Sequence, residues 1–372
     1  MTTDERPLEP YDGILLLSFG GPEKPEDVLP FLRTVTAGKN IPDERLEEVG
    51  EHYYGFGGRS PINDQNRALL AALRVELDRR GISTPVIWGN RNFTPFTAEA
   101  LAEAARQGMR RLVTVVTSAY SSYSSCRQYR EDLAAAQESV AESGIVIELD
   151  KVRPYANHPG FARANTRLVT DAVRGALRDG VDREGIRLLF VTHSIPTAMD
   201  DTSGPGDEDG NAYSHQHIAL GAAITDEVNA TLDTDFAGEL VFCSRSGPPS
   251  QPWLEPDVND RLEELAAEGA TTVVLAPIGF VSDHMEVVYD LDTEAAATAD
   301  RLGLRLVRVP TVGVDPEFVS GLVDLVLERA AQARGEEPVV PAWPGRAPMP
   351  SVCAPGCCPN LRAAKPALCG RD

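Results

Sequence analysis

ILLLSF (14–19) is apolar at almost every position, and IRLLFVTHS (186–194) carries the unbroken apolar run LLFV. A run without polar alternation fits a strand buried on both faces, as in a parallel sheet covered by helices. Gly20-Gly21-Pro22 ends the first run. PVIWGNRN (85–92), RRLVTVVTSAY (110–120), GELVFCSRSG (238–247) and TTVVLAPIGF (271–280) have the same character. Between them lie helix-period stretches. KPEDVLPFLRTV and ERLEEVGEHY predict short helices, and INDQNRALLAALRVELDRRG (62–81) predicts a longer one stopped by Gly81. TPFTAEALAEAARQG reads as a helix with Thr94 as N-cap and Pro95 in its first turn. QYREDLAAAQESVAESG, HIALGAAITDEVNATL, DVNDRLEELAAEG and PEFVSGLVDLVLERAAQARG complete the set. Strands alternating with helices specify an α/β fold with parallel sheets.

The halves echo each other. ILLLSFGGP parallels LLFVTHSIP, VIWGNRN parallels VFCSRSG, and VTVVTSAYSS parallels VVLAPIGFVS, in the same order along the chain. This reads as a duplication giving two similar Rossmann-like domains, although generic buried strands also resemble one another. The expected organisation is a first domain over 8–160, a second over 161–335, and a Pro-rich linker with a Cys-rich tail over 336–372. Open α/β sheets bind ligands at the carboxyl ends of their strands. Phe19, Asn90-Arg91, Ser118 to Ser125, His193, Ser244-Arg245 and Val281 to Glu286 hold those places and would line an interdomain cleft.

A net charge of −21 argues against nucleic-acid partners and anionic membranes. The apolar runs are too short to span a bilayer, and MTTDERPLEP has no signal-peptide pattern. A reducing cytosol is expected, where clustered cysteines more often hold metal than form disulfides. GFGG (55–58) follows a helix rather than a strand, so it is no dinucleotide fingerprint, and no phosphate-cradling P-loop pattern appears.

Two strand ends carry acid–base chemistry. His193 closes a buried strand in VTHSIP, where a histidine is either a satisfied polar group or a base. VSDHMEVVYDLD (281–292) follows another strand and holds Asp283, His284, Glu286, Asp290 and Asp292. On a helix, Asp283, Glu286 and Asp290 would share one face, either as a solvated stripe or as a site. Imidazole with carboxylates suits Fe²⁺ or proton transfer, provided the strand ends of the second domain converge.

Taken together, LLLSFGGPEKPEDV, YGFGGRSPIN, GNRNFTPF, FVTHSIPT, SRSGPPSQPWLEPDV and APIGFVSDHMEVVYDLD resemble the ferrochelatase family in sequence and order, over roughly residues 10–335. The resemblance implies insertion of Fe²⁺ into a porphyrin in haem biosynthesis. His193 takes the place of the metal-binding and proton-accepting histidine, and Glu286 that of its partner glutamate. Porphyrin contacts map onto Ser60 and Tyr129. Phe19 stands where some relatives carry a tyrosine that reaches the iron, which phenylalanine cannot do. The tail resembles that of actinobacterial-type members, which implies coproporphyrin III as substrate rather than protoporphyrin IX. A haem-binding carrier or iron–sulfur sensor on the same fold is the alternative. Arg59, Arg91 and Arg245 are candidates to offset the substrate carboxylates, or ordinary salt-bridge residues. Oligomeric state is not legible, and a monomer is the expectation.

Four of the six cysteines lie in the tail, spaced C-x₃-C-C-x₁₀-C. By the same resemblance they imply a [2Fe–2S] cluster held by Cys353, Cys358 and Cys369 with Cys126 from the first domain, and Cys357 as the alternate to Cys358. Zinc is the rival occupant, since a four-cysteine set also suits it. Cys243 reads as a buried bystander. EEPVVPAWPGRAPMP is expected to be extended, letting the tail reach back to Cys126.

Overall fold

The computed structural model describes residues 7–38, 41–205, 210–248, 250–343 and 347–368. Its strands are β1 (Gly13–Ser18), β2 (Val86–Asn90), β3 (Arg111–Val116), β4 (Glu148–Lys151), β5 (Ile186–His193), β6 (Gly238–Cys243), β7 (Thr272–Ala276) and β8 (Arg305–Arg308). The helices are α1 (Pro25–Val35), α2 (Asp43–Tyr54), α3 (Ile62–Arg79), α4 (Thr97–Arg106), α5 (Gln128–Ala141), α6 (Pro159–Arg178), α7 (Thr197–Asp201), α8 (Ala212–Leu232), α9 (Val258–Ala267), α10 (Met285–Tyr289), α11 (Ala296–Leu302) and α12 (Pro316–Ala333). Two π-helical turns, Tyr123–Arg127 and Asp290–Ala295, interrupt the helical runs.

One sheet runs β2-β1-β3-β4 and the other β6-β5-β7-β8, and every neighbour is parallel. The three sequence correspondences fall on β1 with β5, β2 with β6, and β3 with β7. The identical strand orders make the internal repeat structural as well as sequential. β1 and β7 are buried at every position, as strands covered on both faces must be.

Two local expectations change. The helix expected to begin at Thr94 has Phe96 as its N-cap. The Glu99 carboxylate accepts from the Phe96 N–H at 2.7 Å and the Thr94 hydroxyl at 3.2 Å, so the cap is served by the acidic residue inside the helix. Asp283 does not lie on a helix with Glu286, because α10 begins at Met285 with His284 as N-cap.

The helix α12 returns to the first sheet, packing on α3 and β3 as well as on α6. Phe318, Leu322, Leu325 and Val326 are buried there, each contributing about 1.5–3 kcal/mol of apolar burial. Beside them, Arg153 just past β4 pairs with Glu328 of α12 at 2.8 Å, with both side chains almost wholly buried. The Arg153 guanidinium also donates to the Pro341 carbonyl at 2.8 Å, and Trp343 donates its backbone N–H to Asn157, so the segment after α12 runs across the first domain. No helix among the described residues is long and apolar enough to cross a membrane.

Candidate active site

β5 delivers His193 at its carboxyl end, in register with Cys243 at the end of β6. The His193 Nδ1 lies 2.5 Å from the Ser194 carbonyl. A carbonyl can only accept, so Nδ1 carries a proton in either charge state; the neutral ring has its lone pair on Nε2, and the protonated ring donates from Nε2. Nε2 faces the Glu286 Oε2 at 3.5 Å. The two sequence-predicted groups therefore meet, from β5 and from α10. Their side chains are 33% and 52% exposed, so a substrate can reach both. From behind, the buried Tyr213 hydroxyl donates to the His193 carbonyl at 2.8 Å and meets the Thr192 hydroxyl at 2.7 Å. Nothing in the sequence marks Tyr213, since a tyrosine inside a helix gives no signal of a bond to a distant strand.

The electrostatics favour a cation. Burial works to lower the His193 pKa, but the hydrogen bond and charge of Glu286, the Ser194 carbonyl and Asp290 together raise it above the ordinary 6.5. Burial lifts Asp290 to about 6, with the Ser244 hydroxyl working downward and Glu286 and Glu294 upward. Ser244 donates to Asp290 from a left-handed backbone at φ 59°. His284 lies 3.9 Å from Glu286, and its pKa is lowered by burial against the pull of Glu286. Cys243 is buried, and burial followed by the Asp290 charge pushes its thiol well up.

The first domain brings aromatic surface to this pair. Val28, Phe31, Leu32, Leu46 and Tyr53 form a cluster with Met285, the neighbour of Glu286, and Phe19 and Phe93 pack against it. Phe19 meets Phe31 edge-on at 6.2 Å. Burial and then the Glu286 charge raise the Tyr53 pKa, which places that ring close to the carboxylate. His52 stacks on Tyr289 at 3.9 Å, joining α2 to α10 across the domains.

Ser60 is buried at the turn before α3, against Gly21. Tyr129 is also buried, with the Arg91 guanidinium 4.5 Å above its ring and 5.7 Å from the Phe19 ring. Arg91 pairs with Asp132 and Arg59 with Asp64. Arg245 is exposed and donates to the Gln251 carbonyl at 3.4 Å, and among the described residues no carboxylate pairs with it. A cavity of about 640 Å³ lies elsewhere, against β2 and between α3 and α4, lined by Arg74, Trp88 and Glu103. None of the acid–base residues lines it, so chemistry rather than size locates the site.

These features match a known family. The ferrochelatase family model matches residues 11–330. The chain belongs to the ferrochelatase family. A coproporphyrin III ferrochelatase of Streptomyces coelicolor is 52% identical over 367 residues, covering 98% of this chain and 97% of that protein. One from Leifsonia xyli is 52% identical over 375 residues, covering 97% and 94%. Among solved structures, SirB from Bacillus subtilis with Fe³⁺ superposes with a TM-score of 0.48 at 14% identity, over 87% of this chain and 97% of that one.

This ferrochelatase also gathers its cysteines. Cys126 sits in the first π-turn and hydrogen-bonds Cys353, which bonds Cys357, whose sulfur lies 3.8 Å from that of Cys358. All four are buried and free of disulfides. The bond to Cys353 and then burial push the Cys126 thiol well up. Cys353 rises to about 11 as the Cys357 bond and burial outweigh the downward effect of Cys126. The sulfurs form a chain of contacts, and among the described residues no three His, Cys, Asp or Glu groups form a ready metal cage. Cys369 lies outside the described residues. The tail touches both domains. Cys358 donates its N–H to the Gly204 carbonyl at 3.0 Å and accepts from the Gly204 N–H at 3.2 Å, while Leu368 donates to the Arg130 carbonyl at 2.9 Å.

Proposed function

We propose that this ferrochelatase inserts Fe²⁺ into coproporphyrin III, forming coprohaem in haem biosynthesis, with His193 and Glu286 at the reacting centre. The His193–Glu286 pair, with its tautomer fixed by the Ser194 carbonyl, supports this reading most directly. Two pyrrole N–H protons must leave as iron enters the ring. His193 Nε2 accepts a proton, and the Glu286 carboxylate stabilises the imidazolium that results. The same two groups receive Fe²⁺ loosely. A histidine and a carboxylate on a partly exposed rim leave positions open, so the ion can pass on rather than be trapped.

Phe19 and the aromatic cluster give the flat macrocycle an apolar wall, with Ser60 and Tyr129 as further porphyrin contacts. Tyr129 acts from beneath Arg91. Of the three arginines, Arg245 is the best placed to meet a substrate carboxylate, because Arg59 and Arg91 already hold Asp64 and Asp132. Offering coproporphyrin III and protoporphyrin IX side by side with Fe²⁺ tests the assignment. Faster metallation of coproporphyrin III is expected. Preference for protoporphyrin IX reassigns the substrate, and binding without turnover of either supports a carrier.

The buried, disulfide-free thiols of Cys126, Cys353, Cys357 and Cys358 suit a [2Fe–2S] cluster by donor type, since thiolate sulfur is the usual ligand of such clusters and binding displaces the thiol protons. Cys126, Cys353, Cys358 and Cys369 would hold it, with Cys357 the alternate to Cys358. When bound, such a cluster is redox-active, but metallation transfers no electrons, so its part is structural or sensory. Purified protein should be brown and bleach with dithionite, and Cys126→Ser should lose the colour. Colourless protein carrying zinc rejects the cluster. The proposed setting is a monomer in the cytosol.

A further inference from the structure

We infer that Arg308 is a positioning residue for the reacting pair, acting by clamping both ends of the short segment that carries Glu286. This rests on the assignment of His193 and Glu286 as the metallating groups. Arg308 is the last residue of β8, the edge strand of the second sheet, and its side chain is only 19% exposed. Its Nη2 donates to the Asp283 Oδ1 at 2.7 Å, and its Nε donates to the Asp292 Oδ1 at 3.0 Å. Nη1 turns back to the Val309 carbonyl, which fixes the plane of the guanidinium.

Asp283 immediately precedes the His284 cap of α10, and Asp292 lies in the π-turn that follows α10. The eight residues between them, 284–291, hold His284, Glu286 and Asp290. One planar cation thus bridges the start and the end of the acidic segment. α10 runs without a break through the π-turn into α11, so its carboxyl end is held by the helix that follows, whereas its first turn, which carries Glu286, starts at the His284 cap with no helix before it. Arg308 ties the residue before that free start, Asp283, to Asp292 in the π-turn, and so fixes the first turn and its Glu286 against the rest of the helix. The clamp also reaches the other domain. The Asp283 N–H donates to the Gln65 Oε1 of α3 at 2.9 Å, and the Thr311 hydroxyl approaches the Asp283 Oδ2 at 3.4 Å.

The clamp offsets a local difficulty. Asp283, Glu286, Asp290, Asp292 and Glu294 crowd one short stretch. Without the cation their repulsion would open the turn and draw Glu286 away from His193. Arginine suits this place because its fork serves two carboxylates at once with fixed angles, and lysine offers a point charge without that geometry.

The test is steady-state metallation by Arg308→Met, Arg308→Lys and Asp292→Asn, with Glu286→Gln and the double variant Arg308→Met/Glu286→Gln. Arg308→Met should lower kcat between about tenfold and a hundredfold while leaving KM for porphyrin within about twofold. Arg308→Lys should recover part of that loss, and Asp292→Asn, which removes one arm only, should cost less than Arg308→Met. In the double variant the loss should be no greater than in Glu286→Gln alone, because Arg308 acts through that carboxylate. Wild-type kcat in both Arg308→Met and Asp292→Asn overturns the inference, as does full additivity in the double variant. If Arg308→Met does not fold, Asp292→Asn and its double variant with Glu286→Gln decide in its place. Wild-type turnover in Glu286→Gln instead overturns the assignment of the pair, which separates the two failures.

Discussion

The two sheets share strand order and parallel sense but end in different chemistry. Aligned on ILLLSFGGP and LLFVTHSIP, Phe19 of the first domain stands where the second has His193. Around Phe19 gather rings and a buried guanidinium; around His193 gather carboxylates, a thiol and a hydroxyl. The same scaffold position holds a surface for a flat apolar ligand on one side and a proton acceptor on the other. In a duplicated α/β protein the strands preserve the frame while the residue just past each strand sets the task.

Replacing the reacting group tests this division most severely. His193→Ala should cut metallation by at least about a hundredfold and leave thermal unfolding nearly unchanged. Retained turnover would show that the second domain does not own the chemistry. A smaller loss with a shifted pH profile is expected for Glu286→Gln. In the wild type, the acid limb of kcat/KM should lie above pH 6.5, because His193 must be neutral to accept a proton and its pKa is raised. Removing the Glu286 charge takes away an upward influence, so the limb should move to lower pH. A limb that stays put would mean that another group titrates. The mildest effect belongs to the first domain. Phe19→Ala should raise KM for porphyrin about fivefold, in line with about 1 kcal/mol of lost apolar contact, with kcat nearly unchanged. A fall in kcat with constant KM would erase the contrast between the two sides.

Six strands were legible because each is a run of apolar residues bounded by turn formers. β4 (ELDK) and β8 (RLVR) were not, since they are short sheet edges with charged residues, and an edge strand needs no continuous apolar run. α6 was legible in principle, since Phe161, Val169, Val173 and Ala176 of PGFARANTRLVTDAVRGALR fall at helical spacing and are buried on one face. His193 and Glu286 were legible as motif residues at strand ends, and their separation is a tertiary fact. The stripe proposed through Asp283 failed because His284 caps α10 and turns the backbone at that point. Arg308 gave no signal at all, as an arginine on an edge strand reads as solvated. Cys126 was legible only through the family resemblance, and it does meet the tail thiols.

The return of α12 to the first sheet has a consequence for how such a protein can be taken apart. Although the two halves share one strand order, the last helix of the second closes over the first. A fragment cut at residue 160 would keep Arg153 without Glu328, leaving a charge in its interior unneutralised and the stripe of α3 bare. The first half therefore depends on the last helix of the second for both its charge balance and its cover.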